Sequence, residues 1–362
     1  MPRQTRAAKK IDDEGERAAR AATTHPPAEK VRRKEKRVAS KKKRVAPKST
    51  VAVVGAGRVG TALAVALERC GYRVTALVAR RRSHARRASR LLRNPPPALG
   101  SAELGDIPDS DILIIATPDD RVAETARRIG AERKSPRPVG PRAPARGRVA
   151  LHVSGSLSSD ALAPLRALGF AAGSLHPLVS VSDAAAGADD LRGAYYCVEG
   201  DAEAARVARR LVRDLGGHAF SVRPGDKALY HAAAVMAAGH LTALFDVATS
   251  LLARCGVGAK TARLALLTLS ASALQNLARA PDNARALTGP FARRDLDTIR
   301  KHLDALGAAR DGAALRLYAT LGARSLGMTA RGATDEDLSI LRELERALEE
   351  FKTGADATGD DS

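Results

Sequence analysis

The sequence predicts an α/β protein in which a doubly wound parallel sheet is followed by an all-α region. Three observations predict this class. Short apolar segments alternate with helical patterns between residues 49 and 224, an order typical of parallel sheets with crossover helices. Behind the first apolar segment, Gly55, Gly57 and Gly60 follow the spacing G-x-G-x-x-G. From Asp226 onward the pattern changes to long helices.

The first strand and the loop after it form the most informative segment, VAVVGAGRVGTAL. In a dinucleotide-binding (Rossmann) domain the first glycine permits the tight turn, the second admits the pyrophosphate, and the third lets helix pack closely on strand. Val51 to Val54 predicts the strand, and Thr61 to Cys70 predicts the helix whose first amides face the phosphates. The alternative is a tight turn that binds nothing. We predict a nicotinamide dinucleotide, held by Gly55, Ala56, Gly57, Arg58, Val59 and Gly60.

The end of the second strand, Tyr72 to Val78, indicates which dinucleotide is bound. An acidic residue about 20 positions after the glycines would hold the ribose 2′-hydroxyl of NAD. This sequence has arginines there, followed by a serine. Guanidinium groups beside a hydroxyl suit a 2′-phosphate by charge and geometry, so Arg80, Arg81 and Ser83 predict NADP. The alternative is that these arginines only reflect an Arg-rich composition.

The remaining elements follow the same alternation. Strands are predicted at Asp111 to Ala116, Val149 to Val153, Ala171 to Leu175, Ala194 to Val198 and His218 to Val222. Helices are predicted between them at Arg121 to Ile129, Ser159 to Leu168 and Ala202 to Leu215. A Pro- and Arg-rich stretch, residues 131–148, predicts a flexible surface insertion within the NADP-binding domain of residues 49–224.

The formal net charge of +20 is concentrated at the N-terminus, where the first 50 residues hold 17 Lys and Arg against 6 Asp and Glu. This composition predicts a disordered basic tail over residues 1–48. No zinc ligands, RNA-binding aromatic motif or helix-turn-helix pattern accompanies the tail, so we expect either a solvated appendage or weak polyanion binding, and no specific nucleic acid. The acidic end, residues 353–362, is also predicted to be disordered.

Cysteine usage and hydropathy indicate the cellular compartment and whether a metal or a membrane is involved. Cys70, Cys197 and Cys255 are an odd number without metal-ligand spacing, so we predict reduced core residues of a cytoplasmic protein and no metal. Neither a signal-peptide pattern nor an uninterrupted apolar run of spanning length indicates secretion or a membrane partner.

The second domain, residues 225–352, is predicted to be all-α. Its first helix, from Asp226 to Gly256, carries apolar residues around most of its surface and is therefore predicted to be buried. Further helices are predicted at Ala259 to Arg279, Phe291 to Ala305 and Ala309 to Leu321, and a last helix begins near Thr334 with a Thr-x-x-Asp cap.

Polar clusters at the predicted carboxyl ends of strands are the candidates for chemistry. Thr117 and Pro118 belong to the first cluster and are predicted to border the cofactor. Lys227 and His231 are four residues apart, hence on one helical face, and the helix dipole disfavours a charged lysine in the first turn. A solvated lysine, a core histidine and a satisfied turn histidine are the alternatives. We predict that Lys227 is the proton donor. The groups predicted to orient a small-molecule substrate are His231, His176 and Ser154.

Taken together, these segments resemble a known family. VAVVGAGRVGTAL, LIIATPDD, LHVSGSLSSDAL, LHPLVSV, KALYHAAAVMAAGHLTAL and LTGPFARRDLDTIRKHL are similar to Rossmann-like oxidoreductases whose C-terminal part is known as domain of unknown function 2520. That family looks like a relative of ketopantoate reductases, pyrroline-carboxylate reductases and 6-phosphogluconate or β-hydroxyacid dehydrogenases. The resemblance covers residues 49–321. It implies a Rossmann domain, a 6-phosphogluconate dehydrogenase-like helical C-terminal domain and a homodimer.

In the ketopantoate and β-hydroxyacid enzymes a lysine opens the first helix of the second domain, with an asparagine four residues on. Here Lys227 matches, but position 231 is histidine, and Gly239 stands where the family implies another asparagine. We predict an NADP-dependent oxidoreductase that reduces a small carboxylate-bearing ketone or imine, with ketopantoate to pantoate as the concrete case. The alternatives are a non-catalytic NADP-binding sensor or interaction protein and a pyrroline-carboxylate-type imine reductase.

Overall fold

The computed structural model describes residues 48–132, 147–329 and 334–356. They divide between two compact units that meet in the chain at Gly239 and His240, so the start of the long helix belongs to the N-terminal unit rather than to the second domain predicted from residue 225. The predicted basic tail up to residue 47, most of the predicted insertion (133–146) and the last residues (357–362) lie outside the described residues.

The N-terminal unit contains an eight-stranded sheet in the order β3-β2-β1-β4-β5-β6-β7-β8. Its strands are β1 (Thr50–Val54), β2 (Arg73–Ala79), β3 (Ala98–Gly100), β4 (Ile112–Ile115), β5 (Arg148–His152), β6 (Phe170–Pro177), β7 (Tyr195–Gly200) and β8 (His218–Phe220). The six strands from β1 to β6 pair in parallel, which confirms the doubly wound sheet. The point where the strand order reverses, between β1 and β4, is where such sheets bind ligands.

Helices cover both faces of this sheet. They are α1 (Arg58–Arg69), α2 (Arg82–Ser89), α3 (Asp119–Glu132), α4 (Ala163–Arg166), α5 (Ala184–Asp190), α6 (Ala202–Asp214) and α7 (Lys227–Val235), with 3₁₀ turns at Ser159–Leu162 and Pro224–Asp226. Alternate residues of each strand point to opposite faces. Val51 and Val53 accordingly pack with α1, α5 and α6, whereas Ala52 and Val54 pack with α3 and α4.

β7 departs from the parallel arrangement. It pairs antiparallel with β6, and β8 then pairs in parallel with β7. The chain re-enters the sheet beside the end of β6, where Tyr196 faces Pro177.

The C-terminal unit is all-α, as predicted. Its helices are α8 (Leu241–Arg254), α9 (Ala259–Arg279), α10 (Asn283–Ala286), α11 (Pro290–Arg293), α12 (Leu296–Ala308), α13 (Gly312–Thr329) and α14 (Asp335–Asp356). The predicted bounds of α9 and the cap of α14 are confirmed, since Thr334 Oγ1 accepts the Asp337 amide at 3.1 Å. The single helix predicted over Phe291 to Ala305 is wrong, because Arg294 adopts a left-handed φ of 56° and separates α11 from α12.

The long helix is not buried as predicted. Between α7 and α8 the chain makes a π-helical turn at Met236–His240, and the whole stretch Pro224–Arg254 is long and apolar enough to cross a membrane by length and composition alone. Such a helix is weak evidence for a membrane span, because core helices of soluble proteins pass the same test. Leu229 is 76% exposed and Met236 is 65% exposed. Among the described residues, these two side chains are therefore left uncovered.

The cysteines are free, and they differ in burial. Cys197 is buried in β7 as predicted, and Cys70 is half-buried at the end of α1. Cys255 is exposed at the end of α8, so its prediction as a core residue is wrong.

Candidate functional site

The loop after β1 places its glycines in different environments. Gly55 has a φ of +104°, and a Cβ there would overlap the Ala116 backbone, so the turn itself requires glycine. A Cβ on Gly60 would overlap the carbonyl of Gly55, which shows how closely α1 packs on the loop. A Cβ on Gly57 would meet nothing within 4 Å. The space beside Gly57 is therefore free for a bound group.

A cleft of about 580 Å³ opens beside this loop, between the ends of β1, β2 and β4 and the start of α3. Six of the predicted cofactor residues line it, namely Gly55, Ala56, Gly57, Arg80, Thr117 and Pro118. Inside the structure, Thr117 Oγ1 is buried and lacks a hydrogen-bond partner among the described residues. A buried hydroxyl without a partner costs free energy unless a ligand satisfies it. The cleft thus offers a polar anchor next to the glycine loop.

The first turn of α1 directly follows the cleft-lining Gly57, although its own residues are not among the described lining residues of the cleft. Arg58, Val59 and Gly60 form this turn, Gly57 is the N-cap, and the turn has neither a side-chain cap nor an acidic residue. Uncapped amides at a helix N-terminus carry partial positive charge and point at an anion. With the open space at Gly57, these residues fit the pyrophosphate of a nicotinamide dinucleotide.

The basic groups that reach the cleft differ from the predicted set. Arg80 lines the cleft with His84, whereas Arg81 and Ser83 are not among its described lining residues. The reason is local, since Arg81 is the N-cap of α2 and Ser83 lies in the exposed first turn of that helix. Arg82 is turned toward β3, where it donates to the Ala98 carbonyl at 3.0 Å. The structure therefore keeps Arg80 among the candidate 2′-phosphate groups, adds His84, and leaves Arg81 and Ser83 outside the described lining of the cleft.

A second polar cluster lies at the ends of β5 and β6, and His152 shapes its loop. The Ser154 amide donates to His152 Nδ1 at 3.2 Å, so the ring proton resides on Nε2, which donates to the Ser158 carbonyl at 3.0 Å. Burial lowers the pKa of His152 to about 4 and keeps the ring neutral. The Ser154 hydroxyl accepts the amides of Ser156 and Leu157. Ser154 therefore shapes the loop. The sequence predicted instead that Ser154 orients the substrate.

Lys227 lies beneath this loop. Its side chain is 1% exposed, and Nζ donates to Ser174 Oγ at 2.9 Å and to the Ser154 carbonyl at 3.4 Å. Burial lowers the pKa of the ammonium, and nearby Cys197 and Glu199 oppose that shift. The solvated lysine considered as an alternative is excluded. The proton-donor role of Lys227 stays a prediction, and the geometry gives it a positioning role at the ends of β5 and β6.

His176 faces α7 from the end of β6. Its Nδ1 lies 2.6 Å from the hydroxyl of Tyr230, and the two rings meet edge to face at 88°. Burial, then the positive charge of Lys227 and then His231, lower the pKa of His176 to about 4. The ring is therefore neutral at pH 7, so the satisfied turn histidine and the catalytic histidine both remain compatible with its contacts.

Gly155 separates the two candidate histidines. A Cβ at this position would overlap His231 Nδ1 and lie 2.9 Å from both Cε1 and Nε2 of His176. The rings of His176 and His231 meet edge to face, with centroids 5.5 Å apart. His231 Nδ1 is buried and has no hydrogen-bond partner among the described residues. The predicted pair Lys227 and His231 thus does face one loop, with His176 beside it.

One hydrogen bond joins the cleft to this cluster. The Ser156 hydroxyl donates to Asp119 Oδ2 at 2.6 Å, and Asp119 follows Pro118, which lines the cleft. The loops after β4 and β5 are therefore fixed to each other. No group of metal-binding side chains that would hold an ion occurs within the described ranges.

Several residues of this site were missed by sequence reasoning. His84, Arg121 and Arg128 line the cleft, and His152 and Tyr230 hold the second cluster. Tyr230 had a usable signal, because it directly precedes His231 in the helix segment already singled out. For His152 the only signal in the sequence was its position at the end of a predicted strand. Its hydrogen-bond partners depend on the loop conformation, which the sequence pattern does not give.

Two family descriptions match this chain. A Rossmann-like domain matches residues 36–177, and the domain of unknown function DUF2520 matches residues 194–325. The chain is a Rossmann-like protein with a DUF2520 domain. The two matches agree with the resemblance inferred from the motifs, whereas the relation to ketopantoate reductases stays a prediction.

Solved structures share the fold. A candidate NADP oxidoreductase from Bacteroides fragilis is 20% identical, with a TM-score of 0.61 over 77% of this chain and 98% of that chain. A Thermotoga maritima protein is 17% identical, with a TM-score of 0.52 over 83% and 99% of the two chains. The glycerol-3-phosphate dehydrogenase [NAD(P)+] of Orientia tsutsugamushi is 35% identical over 88 residues, which are 22% of this chain and 26% of that enzyme. This chain therefore spans about a quarter of that relative's length.

Gly57→Ala is expected to weaken dinucleotide binding and to leave the fold intact. The added methyl meets open space in the protein, so the free energy of unfolding should change by about 0.5 kcal/mol or less. It would overlap the bound pyrophosphate, so the Kd for NADPH should rise at least about tenfold, which is 1.4 kcal/mol. Gly258→Ala is the control, because Gly258 is also an uncapped helix N-cap in open space. Fluorescence titration and thermal melting measure both effects, and unchanged binding in Gly57→Ala would contradict the site.

Gly155→Ala is expected to push the two imidazoles apart and to break the bond between His176 and Tyr230. The overlap falls on side-chain rings, so the chain should still fold, at a cost of about 1 to 3 kcal/mol. The ¹⁵N signals of His176 and His231 should shift in a histidine-selective NMR spectrum. His302, which belongs to the other unit, serves as the internal control. Unshifted signals from both site histidines would show that the Gly155 contact is not tight.

Proposed function

We propose that this chain is an NADP-dependent oxidoreductase that reduces a small carboxylate-bearing ketone or imine, with ketopantoate as the first substrate to test. The observation that carries the proposal is the hydrogen bond that connects the dinucleotide cleft to the histidine cluster. One loop lines the dinucleotide cleft with Thr117 and Pro118, and its next residue, Asp119, holds the Ser156 hydroxyl of the histidine cluster. A reductase needs a cofactor site beside groups that bind the reacting oxygen or nitrogen. The relatives with dehydrogenase and oxidoreductase names support this class.

The chain's own residues would hold the cofactor as follows. The amides of Arg58 to Gly60 bind the pyrophosphate, Gly57 leaves room for it, and the Thr117 hydroxyl gains the partner it lacks. When bound, the reduced nicotinamide supplies the hydride. His176 and His231 orient the substrate, and Lys227 holds the loop that carries Gly155. The reduced state of the free cysteines suits an enzyme of the cytoplasm.

Arg80 and His84 are proposed to select NADP over NAD. A charge-assisted hydrogen bond to a phosphate contributes about 1.5 to 3 kcal/mol. Arg80→Ala and His84→Ala should therefore weaken NADPH binding about tenfold to a hundredfold and leave NADH binding unchanged. Arg87→Ala is the matched control, because Arg87 is an exposed arginine of α2 that is not a described lining residue of the cleft.

Fluorescence titration with both cofactors measures this preference, and oxidation of NADPH with ketopantoate or 1-pyrroline-5-carboxylate then tests the reaction. Equal weakening of NADPH and NADH would contradict the assignment of Arg80 and His84. Absence of binding by either cofactor to the wild-type chain would overturn the oxidoreductase proposal itself.

We further propose a homodimer formed through the C-terminal unit. α8 and α9 pack on each other, and they leave a set of leucines exposed, namely Leu241, Leu244, Leu267, Leu269, Leu274 and Leu277. Large exposed apolar surface on a soluble chain is typical of an interaction site. A second copy of the same two helices would cover these side chains without any further partner.

Light scattering is expected to give twice the mass of one chain. Leu269→Lys combined with Leu274→Glu should yield the monomer, because charges then replace side chains that are 65% and 51% exposed. Leu91→Glu is the control, since Leu91 is 46% exposed but lies in the N-terminal unit. A monomeric wild-type chain would contradict the dimer, and partition into lipid vesicles would identify a membrane as the partner instead.

A further inference from the structure

We propose that Tyr230 fixes His176 as a neutral hydrogen-bond donor through Nε2, and that the site therefore reduces carbonyl groups rather than imines. This inference rests on the proposed oxidoreductase function and narrows its substrate class. Tyr230 acts as a positioning residue, because it touches His176 and not the reacting atoms.

The first step concerns the proton between Tyr230 and His176. The phenol oxygen lies 2.6 Å from Nδ1, a distance typical of a strong O–H···N bond. The other group near the hydroxyl is the thiol of Cys197, and a thiol sulfur is a weak acceptor. The phenol proton therefore stays on the Tyr230 oxygen, which donates the hydrogen bond, and Nδ1 accepts it. The ring proton of the neutral imidazole then resides on Nε2.

The second step concerns what Nε2 faces. No described side chain or carbonyl accepts a hydrogen bond from His176 Nε2, and this atom is not one of the buried unpaired atoms of the described chain. Nε2 is therefore open to solvent beside Gly155, where a side chain would meet it at 2.9 Å. Glycine at this position keeps the donor accessible. A neutral imidazole that polarises a carbonyl through its N–H is an established catalytic device.

The third step concerns charge. The groups packed around His176 come from α7, β5, β7 and α3, namely Lys227, Tyr230, His231, His152, Cys197 and Asp119. Burial is the largest cause that lowers the pKa of His176, and the positive charge of Lys227 is the second. Together they bring this pKa to about 4, so the ring is unprotonated at pH 7. The carboxylate of Asp119 acts in the opposite direction, but it already accepts the Ser156 hydroxyl. The local field therefore favours negative charge on the substrate.

These features suit one of the two reductions. When a carbonyl carbon accepts the hydride, the C=O π pair moves to oxygen, the resulting alkoxide accepts the Nε2–H bond, and water supplies the proton that completes the alcohol. An imine must first become a cationic iminium to accept a hydride readily. The iminium N–H offers no lone pair to Nε2–H and is repelled by Lys227. His176 cannot protonate the imine at pH 7, because it carries no proton to give beyond its neutral form.

Tyr230→Phe and its matched control test the first half of the proposal. Tyr318→Phe is the control, because Tyr318 lies 2.8 Å from His302 Nδ1 with the rings at 86°, in the other unit. In the wild type, ¹⁵N NMR should show His176 as the Nε2–H tautomer. In Tyr230→Phe the pKa of His176 should rise, because the donor that stabilises its unprotonated Nδ1 is gone. An Nδ1–H tautomer in the wild type would overturn the assignment, and this readout needs no activity.

Turnover tests the second half. With ketopantoate, Tyr230→Phe should lower kcat about tenfold to a hundredfold at an unchanged KM for NADPH, whereas Tyr318→Phe should keep the wild-type rate. His176→Gln should retain more activity than His176→Asn, because the Gln amide places an N–H near Nε2. The kcat of the wild type should stay level above about pH 5 and fall toward pH 4, because protonation of His176 occurs at Nδ1 and removes the acceptor through which Tyr230 fixes the ring.

The outcomes separate this proposal from the proposed function. A wild-type chain that binds NADPH and turns over 1-pyrroline-5-carboxylate faster than ketopantoate would overturn the carbonyl preference and leave the oxidoreductase function standing. A kcat that falls as pH rises through about 6.5, the ordinary pKa of histidine, would show that protonated His176 is required and would also overturn it. A chain that binds no dinucleotide would overturn the proposed function, and the tautomer of His176 would still be decided by NMR.

Discussion

The buried ammonium of Lys227 is the interaction on which the histidine cluster depends. It enters from α7, bonds to Ser174 in β6 and to the carbonyl of Ser154 after β5, and so fixes one helix to two strand ends. A buried charge with incomplete partners is costly, and its removal from such a network typically leaves polar groups unsatisfied. The same charge also sets the state of a neighbour, because it helps to keep His176 neutral. Lys227 therefore fixes the position of the loop and adds to the effect of burial on the protonation of His176.

The two neutral histidines of this cluster, His152 and His176, differ in their hydrogen-bond partners. His152 is wholly buried, and both of its ring nitrogens form hydrogen bonds within its own loop, so its role is structural. In His176 one ring nitrogen is hydrogen-bonded to Tyr230, and the other has no hydrogen-bond partner among the described residues. The difference arises from position along the strands, since His152 ends β5 beneath the loop whereas His176 lies at the end of β6 beside α7. Residue type alone would have made the two histidines equivalent.

Local patterns made the fold predictable, and long-range contacts limited the prediction of the site. The apolar run at β1, the glycine spacing and the cap at Thr334 are short-range signals, and each led to the correct element. No local pattern gives the antiparallel direction of β7, and the hydrogen bond between Tyr230 and His176 joins residues 54 positions apart. The long helix was predicted to be buried because its apolar faces need a cover, but no periodicity tells whether that cover belongs to the same chain.

The hydrogen bond between Asp119 and Ser156 has a thermodynamic consequence for the order of binding. In the proposed reductase, a cofactor that shifts Asp119 would also move the Ser156 loop and so change the free energy of substrate binding at the histidine cluster. Linkage would make this effect reciprocal, so substrate would change the affinity for cofactor by the same factor. Under the proposed function, this 2.6 Å contact would couple the two binding steps although the ligands share no common contact.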